Sequence, residues 1–224
     1  MTTQTANGRC SLCDGSFSKK AMTDHLKSCK PDEDTSKKPA GRAKTAKGFH
    51  LVVEGRYAPE YWMHLDVPAN AKLEVLDGFL RQIWLECCGH MSAFEIENTR
   101  YSVAPMSEFR ERGMNVQLNG LLRPGIEFYH EYDFGTTTHL VLKVVSETER
   151  EPSDKSIQVL ARNEPPPIGC VSCQNTATQI CTECAWSDQG WLCDKCAAEH
   201  KCDENMFLPV VNSPRVGQCG YTGD

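Results

Sequence analysis

Phe49-His-Leu-Val-Val-Glu54, then Tyr61-Trp-Met-His-Leu-Asp-Val-Pro68, then Leu73, Leu76, Leu80 and Ile83 or Trp84 decide the fold of this 224-residue chain. The first run has strand composition. In the second, Tyr61, Met63, Leu65 and Val67 alternate with Trp62, His64 and Asp66. That is the period of a half-buried strand. Pro68-Ala-Asn70 breaks the run, and the following leucines recur at spacings of three and four. They predict an amphipathic helix over roughly 71–86, with Asn70 as its N-cap. Phe94 and Ile96 suggest a short strand. Farther on, Phe128, His130, Tyr132 and Phe134 alternate with Tyr129, Glu131 and Asp133, and Leu140, Leu142 and Val144 with Val141, Lys143 and Val145. Gly135-Thr-Thr-Thr138 between these runs reads as a hairpin turn, and Ile157-Gln-Val-Leu160 as a last strand. Several strands around one main helix make the class α+β, with a mixed or antiparallel central sheet.

On either side the composition changes. Residues 31–47 hold Lys, Pro, Asp, Thr and Ala and no large apolar side chain, which reads as a flexible basic linker. Glu164-Pro-Pro-Pro167 ends the central block, since three prolines continue neither helix nor strand. The division expected is 1–30, 31–47, 48–164 and 165–224. The last segment has few large aliphatics before Met206 and needs a staple other than an apolar core.

Cysteine supplies that staple. The chain has 13, an odd number that excludes complete internal disulfide pairing. Most fall in C-x-x-C pairs near the two ends. Met1 to Gly8 is polar, unlike the start of a signal peptide, and no apolar run reaches the ~18 residues of a membrane helix. The expectation is a cytoplasmic protein, with no membrane partner, whose cysteines bind metal in a reducing compartment.

Cys10-x2-Cys13-x11-His25-x3-Cys29 offers two thiolates from one turn and two ligands one helical turn apart. Ser18 to Cys29 can form that helix, over a minimal core of Phe17, Met22 and Leu26. The pattern is similar to the classical zinc finger with a terminal Cys. Cys170-x2-Cys173-x7-Cys181-x2-Cys184-x8-Cys193-x2-Cys196-x3-His200-x-Cys202 supplies eight more ligands, enough for two tetrahedra. This second pattern resembles the cross-braced B-box and MYND modules. The resemblance implies one ion held by Cys170, Cys173, Cys193 and Cys196 and another by Cys181, Cys184, His200 and Cys202. The short His200-x-Cys202 spacing leaves Cys219 as an alternative to Cys202. Three zinc ions per chain are expected, each with four strong protein ligands. Such closed sites supply folding energy rather than Lewis acidity.

Cys87-Cys-Gly-His90 carries two readings. It can be a helix C-terminus, with Gly89 left-handed and His90 at the negative dipole end. It can also be an activated thiolate, or a metal site completed from elsewhere. The first is the simpler reading of the spacing. Asp133 is expected at the surface, and His50, His64 and His130 as ordinary sheet residues.

The runs from Phe49 to Glu54 and from Tyr61 to Pro68, the helix through Trp84, Gly89-His-Met-Ser-Ala-Phe94 and Tyr132-Asp-Phe-Gly135 with His139 together resemble the plasmid Orf3-like family. Its members are often labelled TnpR-like passenger proteins of insertion elements. The likeness covers about residues 48–162. It implies an α+β fold and a prokaryotic, mobile-element context, but no established activity. Thr136-Thr-Thr138 replaces acidic and aromatic residues of that pattern, and Trp62-Met-His64 replaces a Trp-Arg-Arg.

Charge divides the chain as well. Residues 1–47 hold ten Lys/Arg against five Asp/Glu, residues 48–164 eleven against eighteen, and residues 165–224 three against seven. Only the N-terminal arm, with Lys37, Lys38, Arg42, Lys44 and Lys47, invites phosphate. The function expected is a non-enzymatic zinc adaptor with a protein partner, and nucleic acid as a further partner through residues 1–47. The alternative is an enzyme or a thiol/zinc redox sensor using Cys87, Cys88 and His90.

Overall fold

The structure, a computed structural model, describes residues 6–29 and 45–223. The 31–47 linker, and with it Lys37, Lys38, Arg42 and Lys44, falls almost wholly outside the described residues; Lys47 lies within them. The chain runs β1 (Gly8–Cys10), β2 (Ser16–Phe17), α1 (Lys19–His25), β3 (Ala46–Gly55), β4 (Trp62–Pro68), α2 (Leu73–Leu80), β5 (Ser92–Ile96), β6 (Thr99–Ser102) and β7 (Arg112–Gly113). It continues with β8 (Glu127–Tyr132), β9 (Thr138–Arg150), β10 (Gln158–Asn163), β11 (Gln179–Cys181), β12 (Trp191–Leu192), α3 (Asp194–Ala198) and β13 (Phe207–Pro209). The class is α+β.

One ten-stranded sheet, in the order β2-β1-β10-β4-β3-β9-β8-β5-β6-β7, dominates the molecule. Its neighbours are antiparallel except β6 and β7, which run parallel. A three-stranded sheet, β12-β11-β13, stands apart. The large sheet includes the N-terminal segment. Gly8, Arg9 and Cys10 pair with Asn163, Arg162 and Ala161 of β10, so the finger extends the central sheet rather than hanging from a tether. Gly8 has to be glycine here, because a Cβ would collide with the Trp62 ring and the Arg162 carbonyl.

Helix α2 lays Leu73, Leu76 and Leu80 on one face of the sheet, against Phe49, Leu51, Val53, Leu65, Val67, Phe128 and Leu142. Its cap differs from expectation. The N-cap position is Lys72, without a side-chain cap, and Asn70 lies outside the helix. Lys72 is instead tied into a backbone bridge with Gln117. After Leu80 the chain widens into a π-helical turn over Arg81–Leu85. Single π-turns of this kind gather at functional sites.

Strand β4 is buried on both faces, not one. Met63, Leu65 and Val67 join the main core, while Trp62 packs with Cys10, Met22 and Ala161, and Phe17 and Leu26 lean on that cluster. The finger's small core is therefore completed by a tryptophan from the central sheet. The Trp62 indole N–H donates to the Ala6 carbonyl at 3.2 Å. Beside it His50 and His64 share a ring-to-ring hydrogen bond of 2.8 Å. Burial holds both imidazoles below their usual pKa, His64 down to about 3. A second buried pair, His130 and Asp77 at 2.8 Å, joins β8 to α2.

The stretch after Pro209 returns to the central sheet. Asn163 donates to Asn212 at 2.7 Å, and Ser213 donates to the Trp84 carbonyl at 2.7 Å. Arg215 is completely buried.

Candidate metal centres

Two turns of the same build open the metal-binding segments. In Cys10-x2-Cys13 the Cys10 N–H donates to the Gly15 carbonyl and the Asp14 N–H to the Cys10 carbonyl, both at 2.9 Å, with Asp14 at φ 57°. In Cys170-x2-Cys173 the Cys170 N–H donates to the Asn175 carbonyl at 2.6 Å, the Gln174 N–H to the Cys170 carbonyl at 2.9 Å, and Gln174 has φ 62°. The left-handed residue folds the chain back, so both sulfurs face one point and backbone N–H groups face the sulfurs. The Leu12 N–H lies 3.4 Å from Cys10 Sγ. At Cys170, burial opposes the thiolate, but the N–H groups of Cys193, Ser172 and Cys173 outweigh it and bring the pKa to about 6. A thiol so placed is largely ionised at neutral pH, the form that binds metal.

The remaining ligands come from helices and a hairpin. In the finger, Ser18 caps α1, accepting from the Ala21 N–H at 3.4 Å, and α1 carries His25. His25 Nε2 lies 3.3 Å from Cys13 Sγ, and Cys29 Sγ lies 3.9 Å from Cys10 Sγ. In the C-terminal module, Cys193 is the N-cap of α3 and Cys196 sits in its first turn. Cys173 Sγ is 3.6 Å from both Cys193 Sγ and Cys196 Sγ. Cys184 Sγ is 3.4 Å from His200 Nε2 and 3.6 Å from Cys202 Sγ.

These spacings have a simple geometric meaning. A tetrahedral zinc with Zn–S bonds of about 2.3 Å sets its sulfurs about 3.8 Å apart, and an Nε2 at about 2.0–2.1 Å lies about 3.6 Å from each sulfur. A disulfide would bring two sulfurs to about 2.05 Å. The clusters have the first spacing and not the second.

Four groups of four ligand atoms, each lying within 4.8 Å of one another, could hold metal ions. Three are Cys10, Cys13, His25 and Cys29; Cys170, Cys173, Cys193 and Cys196; and Cys181, Cys184, His200 and Cys202. All twelve residues singled out in the sequence are thus gathered, and Cys202, not Cys219, lies with Cys184. The fourth group is Cys87, Cys88, His90 and Cys219. The helix-end reading of that segment holds only for Gly89, which is left-handed at φ 76°. Helix and π-turn have ended at Leu85, and Glu86 is already extended.

The surroundings of the fourth group were not visible in the sequence. The Tyr132 hydroxyl accepts from the N–H groups of Cys87 at 3.4 Å and His90 at 3.3 Å, and donates to Glu86 at 2.9 Å. Burial, then the Glu86 bond, raises the Tyr132 pKa to about 12, so it remains a donor. Asp133 is buried, contrary to its expected surface position, because Arg215 donates to it at 2.8 Å. Arg215 also donates to Cys87 Sγ at 3.4 Å and to Thr138 Oγ1 at 3.0 Å. Burial opposes the Cys87 thiolate, yet Arg215 beside it leaves the pKa lowered. No spacing signal marked Arg215; it is a lone arginine in a segment without regular structure. Glu131, at a neighbouring position on strand β8, is engaged by Arg100 at 2.8 Å.

No family model matches this chain, and no curated protein does. Among solved structures, a protein of unknown function from Methanosarcina mazei Go1, MM3350, is similar at TM-score 0.47 and 16% identity, over 53% of this chain and 71% of that one. Among the described residues, no helix is long and apolar enough to cross a membrane.

Proposed function

We propose that this chain is a non-enzymatic adaptor whose finger and C-terminal module are organised by three zinc ions. The observation that carries the reading is the closure of the three terminal clusters. Each sets four thiol or imidazole groups around one point, a donor set that suits a structural ion and leaves no position for a reacting water. Small modules built this way present surfaces. Trp186, on the turn between β11 and β12, is 88% exposed and serves as the contact residue for a protein partner. The acidic balance of residues 165–224 favours a basic protein surface over nucleic acid there. The many thiols suit a reducing, cytoplasmic setting. For the central sheet we propose membership of the Orf3-like family, with a mobile-element context.

The basic N-terminal arm supports nucleic acid as a second partner. Lys47 contributes little to that reading, since it is engaged by Glu147 at 3.1 Å. Elemental analysis of protein purified without added metal tests the zinc reading, and iron in its place refutes it. Affinity purification from the native cell, with and without nuclease, tests the partner. A nuclease-resistant partner lost with Trp186→Ala is expected. Partners lost with nuclease and retained by Trp186→Ala would overturn the protein-contact reading.

A further inference from the structure

We propose that Cys87, Cys88, His90 and Cys219 bind a fourth zinc ion, which fastens the C-terminal tail to the central domain. The distances carry this. Cys87 Sγ and Cys88 Sγ are 3.6 Å apart, and Cys88 Sγ and Cys219 Sγ 3.8 Å apart. His90 Nε2 lies 2.9 Å from Cys88 Sγ and 3.2 Å from Cys219 Sγ. The sulfur spacings match the edges of a zinc–thiolate tetrahedron, as in the three terminal clusters. The His90 Nε2 distances are shorter than the about 3.6 Å of a zinc-bound imidazole, so the ring would move outward on binding. Three thiols with one imidazole make a donor set that suits zinc.

The outer shell fits as well. His90 presents Nε2 to the sulfurs, while its Nδ1 faces Asp133 at 3.5 Å. A carboxylate behind a ligating imidazole fixes the ring and its tautomer. Asp133 is in turn held by Arg215, which also reaches Cys87, so one buried guanidinium steadies two of the ligands from behind. Cys219 holds a left-handed backbone, φ 45°, which is costly for a residue with a side chain. The neighbouring Gly217 and Gly220 are left-handed too. This coil turns the Cys219 sulfur toward the loop at Cys87–His90.

Cys88, His90 and Asp133 also line up as a nucleophile, base and orienting carboxylate would. The crowding argues otherwise. Two further thiols stand at ligand distance around the same point, and His90 Nε2 serves Cys88 and Cys219 alike. A nucleophilic thiol needs that space for its substrate.

Zinc content of the full-length protein, measured in parallel with Cys88→Ser/Cys219→Ser, provides the test. The wild type is expected to exceed the variant by one zinc per chain. The zinc left in the variant reports on the terminal clusters and the difference on this one, so the two readings can fail separately. Cys219→His, which restores a fourth ligand, should restore the ion. Loss of Cys219 should also speed tryptic cleavage after Arg215. Should the double variant fail to fold, maleimide labelling of the zinc-loaded wild type decides. Cys87, Cys88 and Cys219 should be protected together and exposed together on chelation. Equal zinc in wild type and a folded variant, a Cys88–Cys219 disulfide in the reduced-purified protein, or rapid labelling of Cys88 alone would each overturn the proposal.

Discussion

The central sheet and the C-terminal module differ in what is buried at their centres. Behind the sheet, Leu51, Leu65, Leu76, Trp84, Phe94, Phe128 and Leu142 are all fully buried, in one contiguous apolar core. In the module, the buried cluster is Cys170, Cys181, Leu192 and Cys193, so three of its four members are candidate ligands. The first owes its stability to apolar area removed from water. The second has too little of that area, and on the zinc reading proposed above its fold would depend on metal. One chain thus contains a part with an apolar core and a part whose buried centre is made mostly of candidate metal ligands.

Chelation would break the comparison most directly. A strong chelator should abolish the dispersed amide NMR signals of residues 170–208 while those of β3, β4, β8 and β9 persist. Loss of both sets together would mean that one core serves both regions. Trp62→Ala attacks the joint between finger and sheet, since Trp62 is fully buried between Met22 and β10. It should cost about 3–5 kcal/mol in chemical denaturation, and a loss under 1 kcal/mol would show that the finger does not lean on the sheet.

Asp133→Asn removes the only carboxylate bonded to the buried Arg215 guanidinium among the described residues. The expected cost is about 3 kcal/mol, because an uncompensated buried charge remains. An unchanged midpoint would show that Arg215 finds water or another anion.

The buried imidazoles give a pH dependence of known sign. His64 is held at about 3 when folded, against about 6.5 when unfolded. Its contribution is fully present above about pH 6.5 and is lost as pH falls from there toward 3. The slope is about 1.4 kcal/mol per pH unit, hence about 2 kcal/mol by pH 5. Ring NMR signals of His64 should still report the neutral form at pH 5, and a midpoint near 6.5 would contradict the burial argument.

The smallest effect sharpens the comparison from the surface. Trp186→Ala should change stability by no more than about 0.5 kcal/mol, since the side chain is 88% exposed. It should nevertheless weaken partner binding by more than about 2 kcal/mol, as an aromatic anchor does.

What could be read without a structure was whatever is local in the chain. The strand composition of β3, the alternation in β4, β8 and β9 and the leucine spacing of α2 report on single elements. The C-x-x-C turns, with partners inside the same short segment, report ligands of one small module. Boundaries and caps slipped where tertiary contacts intervened: Lys72 replaced Asn70 because the chain before α2 is bridged to Gln117. The outward face of β4 could not be assigned, since only the arrival of the finger covers Trp62 and His64. The fourth cluster was least legible of all. Cys88 and Cys219 are 131 positions apart, and no periodicity spans that distance. Only the folded sheet brings the tail back over the end of α2, where Arg215 finds Asp133 and Cys219 meets His90. Sequence by itself thus determined the elements and the local ligand sets. Tertiary structure decided which faces are covered and which distant thiols meet, because burial and long-range contact are properties of the whole packed chain.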